Sequence, residues 1–331
     1  MWRTLLFLTV LPACFNINDA PDAGEDAAGA QIDFGGDMAS VVDPPKCAAG
    51  AICEQQVSSA PLRGVWAISA SEAWAVGESA TVLHYVAGAW VPSQNPATEN
   101  LYGIWASAAD NVWVVGGKGR IIRWDGTAWT NLQSNVTSAL RGVFGTSKSD
   151  VWVVGDSPIL GASGVLLHWD GNSLSQVNGL PTVNFNAVWA KPGQAYVAGD
   201  NGILLQQQGA NWPGLNTKTN MSLRTLWGTD SGGLLAAGDS GTVLYYDGTA
   251  VRSVTASAST WLGLTSKPGS GSSGLLLVGD VNVAQIASPW MATSQLATGT
   301  GVVLAAASGS SKNAWVVGSK GSAGFLGYVT P

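Results

Sequence analysis

Charged and chemically reactive side chains are scarce in this 331-residue chain. Only 11% of the residues are charged, and there are two histidines and three cysteines. A metal centre needs several histidine, cysteine or carboxylate ligands that come together. His84 and His168 are too few, and too far along the chain from the cysteines, to build one. The sequence therefore predicts no metal and no other cofactor.

Positive charge is also sparse. The chain has 15 Lys and Arg residues against 21 Asp and Glu residues, which gives a net charge of −6, and it contains no basic run. Much of the acidic excess lies in residues 15–46, so the rest of the chain is close to neutral. Proteins that bind nucleic acid neutralise its phosphates with basic patches. Nucleic acid is therefore not an expected partner.

The apolar run near the start of the chain, residues 4–11, is too short to span a bilayer and is typical of a secretory signal. Leu11-Pro12-Ala13-Cys14 follows it and resembles a bacterial lipobox. The resemblance implies cleavage before Cys14, a lipid on its thiol and attachment to a membrane. The alternative is an ordinary signal peptide that is cleaved further along the chain.

The segment after Cys14 is small, acidic and poor in bulky apolar residues, so it is expected to be a disordered linker. The predicted organisation is a lipoprotein signal peptide at 1–13, a lipidated acidic linker at 14–46 and a folded domain at 47–331. Cys47 and Cys53 remain as a pair in this domain. Because exported proteins meet an oxidising environment, the two are expected to form a disulfide.

A short motif that ends in Val-Gly or Ala-Gly recurs through the folded domain at intervals of 39 to 44 residues. Its glycines are Gly77, Gly116, Gly155, Gly199, Gly238, Gly279 and Gly318. A repeat of about 40 residues that is rich in Val, Trp and Gly is typical of a four-stranded propeller blade. The sequence therefore predicts an all-β fold, a seven-bladed β-propeller of four-stranded blades.

The ends of the chain predict how this ring closes. The last unit lacks residues for a fourth strand, whereas residues 54–59 precede the first unit as an outer strand precedes the others. An N-terminal strand is therefore predicted to complete the last blade, which removes two open sheet edges. Outer strands are predicted at Trp90, Trp129, Trp212 and Trp290. The first-strand residues Trp66, Trp105, Trp189 and Trp227 are assigned to packing rather than to sugar stacking.

The repeat has two motifs, Trp-x-Val-Gly-x-x-Gly-x-Ile/Leu and Asp-Gly-x-x-Trp. They resemble the propeller repeats of bacterial exported lipoproteins, particularly those of myxobacteria. They are also similar to sialidase-type Asp-box repeats and to propellers of the photosystem II assembly factor type. The resemblance implies a β-propeller, and an exported bacterial outer-membrane lipoprotein on the periplasmic or cell-surface face is expected.

An arginine holds the same position in the first, third and fifth units, as Arg63, Arg141 and Arg224, and an acid follows each one 15 residues later. These acids are Glu78, Asp156 and Asp239. An antiparallel hairpin brings the two positions together, so internal ion pairs are predicted. The alternative is a carboxylate clamp for an acidic sugar at the mouth of the channel. In the other units the arginine position is assigned to Tyr102, Asn186, Leu262 and Leu304.

The third unit has a longer loop than the others, residues 157–163, with the adjacent apolar residues Ile159 and Leu160. Loops of this kind open on the same face of a propeller as the arginine position. The candidate ligand-binding residues at the channel mouth are therefore Arg63, Tyr102, Arg141, Asn186, Arg224, Ile159 and Leu160.

Catalysis by a hydrolase needs paired carboxylates, a nucleophile with its base, or a metal. No such set stands apart from the repeat, so no catalytic residue is predicted and the chain is not expected to be an enzyme. The predicted function is a monomeric binding or scaffold lipoprotein for an unknown envelope protein or glycan. The alternative is a glycan-active propeller, either a lectin or a sialidase-like glycosidase, that uses the arginines.

Overall fold

The computed structural model of the chain describes the following residues: 13–15, 52–69, 71–228, 233–254, 260–266, 274–279, 282–287, 291–297, 302–309 and 314–329. In this part of the chain the regular structure is antiparallel β-strand and three 3₁₀ turns, Gly117–Gly119, Asp200–Gly202 and Asp239–Gly241. None of the described residues belongs to a helix with the length and apolar character needed to cross a membrane.

Two strands precede the repeats, β1 (Ala13–Phe15) and β2 (Ile52–Ser58). The strands of sheets 1 to 3 then follow in chain order. Sheet 1 has β3 (Leu62–Ala67), β4 (Ala73–Gly77), β5 (Val82–Val86) and β6 (Ala89–Pro92). Sheet 2 has β7 (Leu101–Ala108), β8 (Asn111–Gly116), β9 (Ile121–Trp124) and β10 (Trp129–Leu132). Sheet 3 has β11 (Leu140–Ser147), β12 (Asp150–Gly155), β13 (Val165–Trp169) and β14 (Leu174–Gln176).

The later repeats form sheets 4 to 7. Sheet 4 has β15 (Phe185–Lys191), β16 (Gln194–Gly199) and β17 (Leu204–Gln206). Sheet 5 has β18 (Leu223–Gly228), β19 (Leu234–Gly238), β20 (Val243–Tyr246) and β21 (Val251–Ser253). Sheet 6 has β22 (Trp261–Ser266), β23 (Gly274–Gly279), β24 (Asn282–Ala287) and β25 (Met291–Ala297). Sheet 7 has β26 (Val302–Gly309), β27 (Ala314–Lys320) and β28 (Ala323–Val329), and it also includes β2 and β1.

The N-terminal strand β2 pairs with β28, which is the pairing that the sequence predicts. β1 lies along the other edge of β2, and this register puts Cys14 directly opposite Cys53. Cys47 lies outside the described residues, so its disulfide with Cys53 stays a prediction. The boundaries of the signal peptide and linker also stay predictions.

Each sheet packs its face against the next, and the core lies between them. Trp315 and Leu326 of sheet 7 pack with Leu62 and Tyr85 of sheet 1, so the first and last sheets share a core cluster. The second strands are buried along their length, as in β4 and β27 up to Gly318. Burial on both faces explains why these strands are continuous apolar runs rather than alternating ones.

The periodic glycine at the end of the second strand is required by space. A Cβ on Gly77 would lie 2.2 Å from the Pro61 carbonyl oxygen, and one on Gly155 would lie 2.3 Å from that of Ala139. The backbone at this position is extended, so the requirement is close approach of the preceding loop rather than an unusual dihedral angle. The sequence repeat therefore records a steric contact that recurs in sheets 1 to 5.

Sheet 4 differs from its prediction because it has three strands. The outer strand expected at Trp212 is reduced to two isolated bridges, Leu205 with Gly214 and Gln208 with Asn211. Pro213 lies between the bridges and has no N–H to donate, which prevents a continuous ladder. Trp212 still packs inward, with its ring 5.4 Å from that of Trp152. Trp290 lies outside the described residues.

Candidate functional site

A β-bulge interrupts the pairing of the first two strands at the same place in all the sheets described above. In sheet 3, Leu140 pairs with Gly155 and Gly142 with Val154, which leaves Arg141 between them. A bulge turns its side chain away from the regular direction of the strand. The bulged residues are Arg63, Tyr102, Arg141, Asn186, Arg224, Leu262 and Ala305.

These bulged residues, which we call the rim, line one cavity of about 410 Å³. The structure thus brings together five of the residues predicted at the channel mouth. In sheet 7 the sequence assignment of Leu304 was wrong. Leu304 pairs with Gly318 as Leu140 pairs with Gly155, and Ala305 takes the bulged position. The hairpin between the first two strands is one residue shorter in sheet 7, because Ala305 lies 13 positions before Gly318 whereas Arg141 lies 14 positions before Gly155. A fixed spacing from the glycine therefore pointed one residue too early.

Each rim arginine contacts the acid that the sequence pairs with it. Arg141 donates from Nε and Nη2 to the two carboxylate oxygens of Asp156 at 2.9 and 2.6 Å. Arg224 contacts Asp239 in the same way at 3.0 and 2.9 Å. Arg63 donates from Nε and from Nη2 to Oε1 of Glu78. These contacts cross from the bulge on the first strand to the turn after the second strand.

The paired acids hold the guanidinium groups of Arg63 and Arg141 by one edge only, whereas Arg224 also has Asp200 near its Nη1. Hydrogen bonding to Asp156 raises the pKa of Arg141, and hydrogen bonding to Asp239 raises that of Arg224. Within the part of the chain that the structure describes, Nη1 of Arg63 and Nη1 of Arg141 make no hydrogen bond. Because a guanidinium has five N–H donors, the pairing orients the group and leaves donors for a ligand.

A further carboxylate, Asp200 of sheet 4, lines the same cavity. It accepts hydrogen bonds from the side-chain amides of Asn184 at 2.8 Å and Asn186 at 3.0 Å, and Nη1 of Arg224 lies 3.8 Å away. Burial alone would raise the pKa of Asp200, but the hydrogen bonds and Arg224 outweigh burial and lower this pKa. Asp200 is therefore ionised at neutral pH.

The rim has a polar arc and an apolar arc. The polar arc runs from sheet 1 to sheet 5, and within it the Arg141 guanidinium lies 4.8 Å from the centre of the Tyr102 ring. The apolar arc consists of Leu262 and Ala305 in sheets 6 and 7. A ligand at the mouth therefore meets hydrogen-bonding groups on one side and aliphatic surface on the other.

The opposite end of the channel is occupied by aromatic rings. Phe144 packs on rings from four other sheets, with centroid separations from 5.8 to 6.4 Å. Its partners are Trp66, Trp105, Trp189 and Trp227. The first-strand tryptophans therefore serve packing, as the sequence predicts, but they meet around the channel as well as between neighbouring sheets.

Ile159 and Leu160 lie on a neighbouring cavity and not on the rim cavity. Strand pairing defines their loop, because Val154 pairs with Leu166 whereas the equivalent Ala237 of sheet 5 pairs with Val243. Residues 158–163, which we call the insertion loop, have no counterpart in the shorter turn. Ile159 is 71% exposed and Leu160 is fully exposed.

The two histidines belong to a structural column of side chains that stack on the second-strand tryptophans. His84 stacks on Trp74 with 3.8 Å between ring centroids, and its Nε2 lies 3.2 Å from Glu72. In sheet 3, His168 stacks on Trp152 at 3.9 Å and contacts Asp150 at 2.8 Å, and Arg123 of sheet 2 lies over Trp113. An acid or amide two residues before the second-strand Trp is the sequence signal of this column.

The Asp-Gly hairpins are also structural. Oδ1 of Asp125 accepts hydrogen bonds from the backbone N–H groups of Thr127 and Ala128 and from the Thr127 hydroxyl, and these bonds lower its pKa to about 2. The same arrangement recurs at Asp247. Among the described residues, no group of three or more His, Cys, Asp and Glu side chains could hold a metal ion.

No family model matches this chain, and no curated protein matches it. Solved structures do match. YCF48 bound to a D1 peptide is 14% identical, with a TM-score of 0.66 over 89% of this chain and 99% of that one. The WD40 β-propeller domain of Doa1 is 12% identical, with a TM-score of 0.68 over 83% of this chain and 95% of that one.

Virginiamycin B lyase from Staphylococcus aureus is 9% identical, with a TM-score of 0.70 over 85% of this chain and all of the other. At these identities the matches establish the fold alone. The chain is therefore an all-β protein with the β-propeller fold.

Proposed function

We propose that the chain is a closed, seven-bladed β-propeller that acts as a noncatalytic binding scaffold, held at the bacterial outer membrane by a lipid on Cys14. The observation that carries this proposal is the rim, where equivalent bulges aim side chains from all the described sheets into one cavity. A protein or a glycan of the cell envelope is the partner, and the propeller acts as a monomer.

The chemistry of the rim supports binding rather than catalysis. Arg63, Arg141 and Arg224 are oriented by their own carboxylates and keep donors that can meet a ligand. The histidines, which are the natural general bases at neutral pH, contact Glu72 and Asp150 and do not line the rim cavity. This arrangement can hold a ligand but offers it no activated nucleophile.

The structural neighbours include both a binding protein and an enzyme on this fold. YCF48 was solved with a D1 peptide bound, whereas another neighbour is a lyase. Function therefore has to be argued from the site. The alternative function, a lectin or sialidase-like glycosidase, is favoured by one observation, which is that three arginines line a single cavity.

Peptide and glycan arrays probed with the purified chain test the binding proposal. We expect binding that the Arg141→Ala variant weakens by about tenfold, which is the loss expected when a charge-assisted contact is removed. The matched control is Arg252→Ala, since Arg252 pairs with Asp247 on an exposed hairpin away from the rim. Glycosidic turnover that Arg141→Ala abolishes would overturn the noncatalytic proposal in favour of the alternative.

Intact mass measurement of the protein purified from bacterial membranes tests the anchor. We expect a mature chain that starts at Cys14 and carries a lipid, because the lipobox-like motif precedes this residue. The control is Cys14→Ser, which is expected to leave the membrane fraction. A chain that keeps Ala13, or that joins Cys14 to Cys53 opposite it in the sheet, would contradict anchoring at this residue.

A further inference from the structure

A second cavity, of about 450 Å³, adjoins the rim cavity. The two share Asn184 and Asp200 in their linings. The two cavities therefore lie next to each other, on either side of Asn184 and Asp200, and together they extend from the rim across sheet 4 to the insertion loop. We call this feature the mouth groove.

The insertion loop is held in place by hydrogen bonds. The Ser157 hydroxyl lies within hydrogen-bond distance of the carbonyl oxygens of Ile159 and Ala162 and shares its one donor between them, and the Ser157 N–H donates to Oδ1 of Asn184 at 2.9 Å. The same Asn184 side chain donates to Asp200. The loop is thus fixed to the floor of the groove, and this floor is fixed to the rim.

Ile159 and Leu160 are the most exposed large hydrophobic residues in the part of the chain that the structure describes. Two adjacent exposed aliphatic side chains beside a cavity offer a contact surface for an apolar group of a partner. Removing a leucine-sized side chain from water stabilises a complex by about 1.5–3 kcal/mol. An apolar group on the partner would therefore add to the affinity at this end.

The middle of the groove offers donors and acceptors together. Asp156 and Asp200 supply carboxylate acceptors, and Arg141 and Arg224 supply guanidinium donors. Charge is nearly balanced there, so a strongly acidic ligand meets carboxylates that already occupy the arginines. A peptide main chain presents N–H and C=O groups in alternation and matches such a surface.

A glycan matches it less well. Sugar rings bind to open aromatic faces, and Tyr102, the aromatic residue of the rim, has one face covered by Arg141. The exposed apolar groups of the groove are aliphatic, namely Ile159 and Leu160. Aliphatic surface accepts an aliphatic side chain better than a hydroxyl-covered ring.

We propose that the mouth groove binds an extended polypeptide segment with a large aliphatic side chain. That side chain packs on Ile159 and Leu160, and the main chain next to it bonds to Asp200 and to the arginines of the rim. This inference rests on the proposed binding function and identifies its ligand as polypeptide.

Selection of a phage-displayed library of random dodecapeptides on the purified full chain tests the proposal. We expect the selected peptides to share a large aliphatic residue, and the Leu160→Ser variant to bind them about tenfold more weakly. Replacing the aliphatic residue of the peptide with serine should have a similar effect on the wild type and little further effect on Leu160→Ser. The matched control is Val86→Ser, since Val86 is exposed on a strand of sheet 1 away from the groove.

A second variant tests the same loop in case Leu160→Ser loses peptide binding only because it misfolds. Deleting residues 158–163 leaves Asp156-Ser157-Gly164, which reproduces the Asp239-Ser240-Gly241 turn of sheet 5. We expect this deletion to keep the wild-type unfolding transition and to lose peptide affinity as Leu160→Ser does.

Four outcomes would overturn the inference. In the first, Arg141→Ala weakens peptide binding but Leu160→Ser and the deletion do not. This result would support binding at the rim and reject binding along the mouth groove. Binding that none of these variants changes would reject both. Glycan binding without selected peptides would reject the polypeptide ligand, and a dimer that Leu160→Ser dissociates would assign the apolar end to a second copy of the chain.

Discussion

Replacing Gly228 with alanine is expected to destabilise the folded domain by about 3 kcal/mol. A Cβ at this position would lie 1.8 Å from Cζ2 of Trp189 and within 2.3 Å of two more atoms of that ring. The ring cannot move away freely, because it also packs on Phe144 and Tyr196. The substitution therefore disturbs the aromatic cluster around Phe144. Denaturant unfolding followed by tryptophan fluorescence measures the effect.

The matched control for this substitution is Gly214→Ala. A Cβ on Gly214 would meet only Leu205, at an ordinary contact distance of 3.9 Å. We expect its unfolding midpoint to stay close to that of the wild type. Equal stabilities for the two variants would contradict the packing of Trp189 over Gly228.

Replacing Trp113 with alanine is expected to cost about 4 kcal/mol. Trp113 is fully buried between sheets 2 and 3, its Nε1 donates to Oδ1 of Asn111 at 3.1 Å, and Arg123 lies over its ring. Its removal leaves a cavity and takes one hydrogen bond from a buried amide. The same fluorescence-detected unfolding can be used, because 15 other tryptophans remain.

Two further variants serve as comparisons, one for the lost hydrogen bond and one for a less buried tryptophan. Trp113→Phe removes the Nε1 donor and keeps most of the volume, so it is expected to cost about 1.5 kcal/mol. Trp129→Ala removes a partly exposed ring from an outer strand and is expected to cost about 2 kcal/mol. A Trp113→Ala cost no greater than that of Trp129→Ala would contradict the tight packing of Trp113 between sheets 2 and 3.

The rim arginines can form internal ion pairs and still bind a ligand. From the sequence alone, an arginine that pairs with an acid of the same chain is expected not to bind a ligand, because its charge is already neutralised. In the structure the carboxylate takes the Nε and Nη2 edge of Arg141 and leaves Nη1 unbonded within the described residues. Pairing therefore orients the donors and lowers the entropy that binding would cost, and it disfavours only ligands whose binding depends on net positive charge.

Local patterns in the sequence predicted most of the strands. The spacing of the Val-Gly motif, the apolar second strands and the Asp-Gly turns all depend on near neighbours in the chain. The predicted partners Arg63 and Glu78 meet for the same reason, since one hairpin joins them. Predictions were weaker where the length of a hairpin differs between repeats, as between Ala305 and Gly318.

The sequence by itself determined the repeat, the hairpins and the ion pairs, because each arises within one unit of the chain. Only the tertiary structure decided which side chains share a cavity. The bulges aim residues from distant units at one point, and Asn184 joins Asp200 to an inserted loop that follows a different strand. Such contacts depend on how whole sheets pack against one another, and no spacing along a single repeat encodes that arrangement.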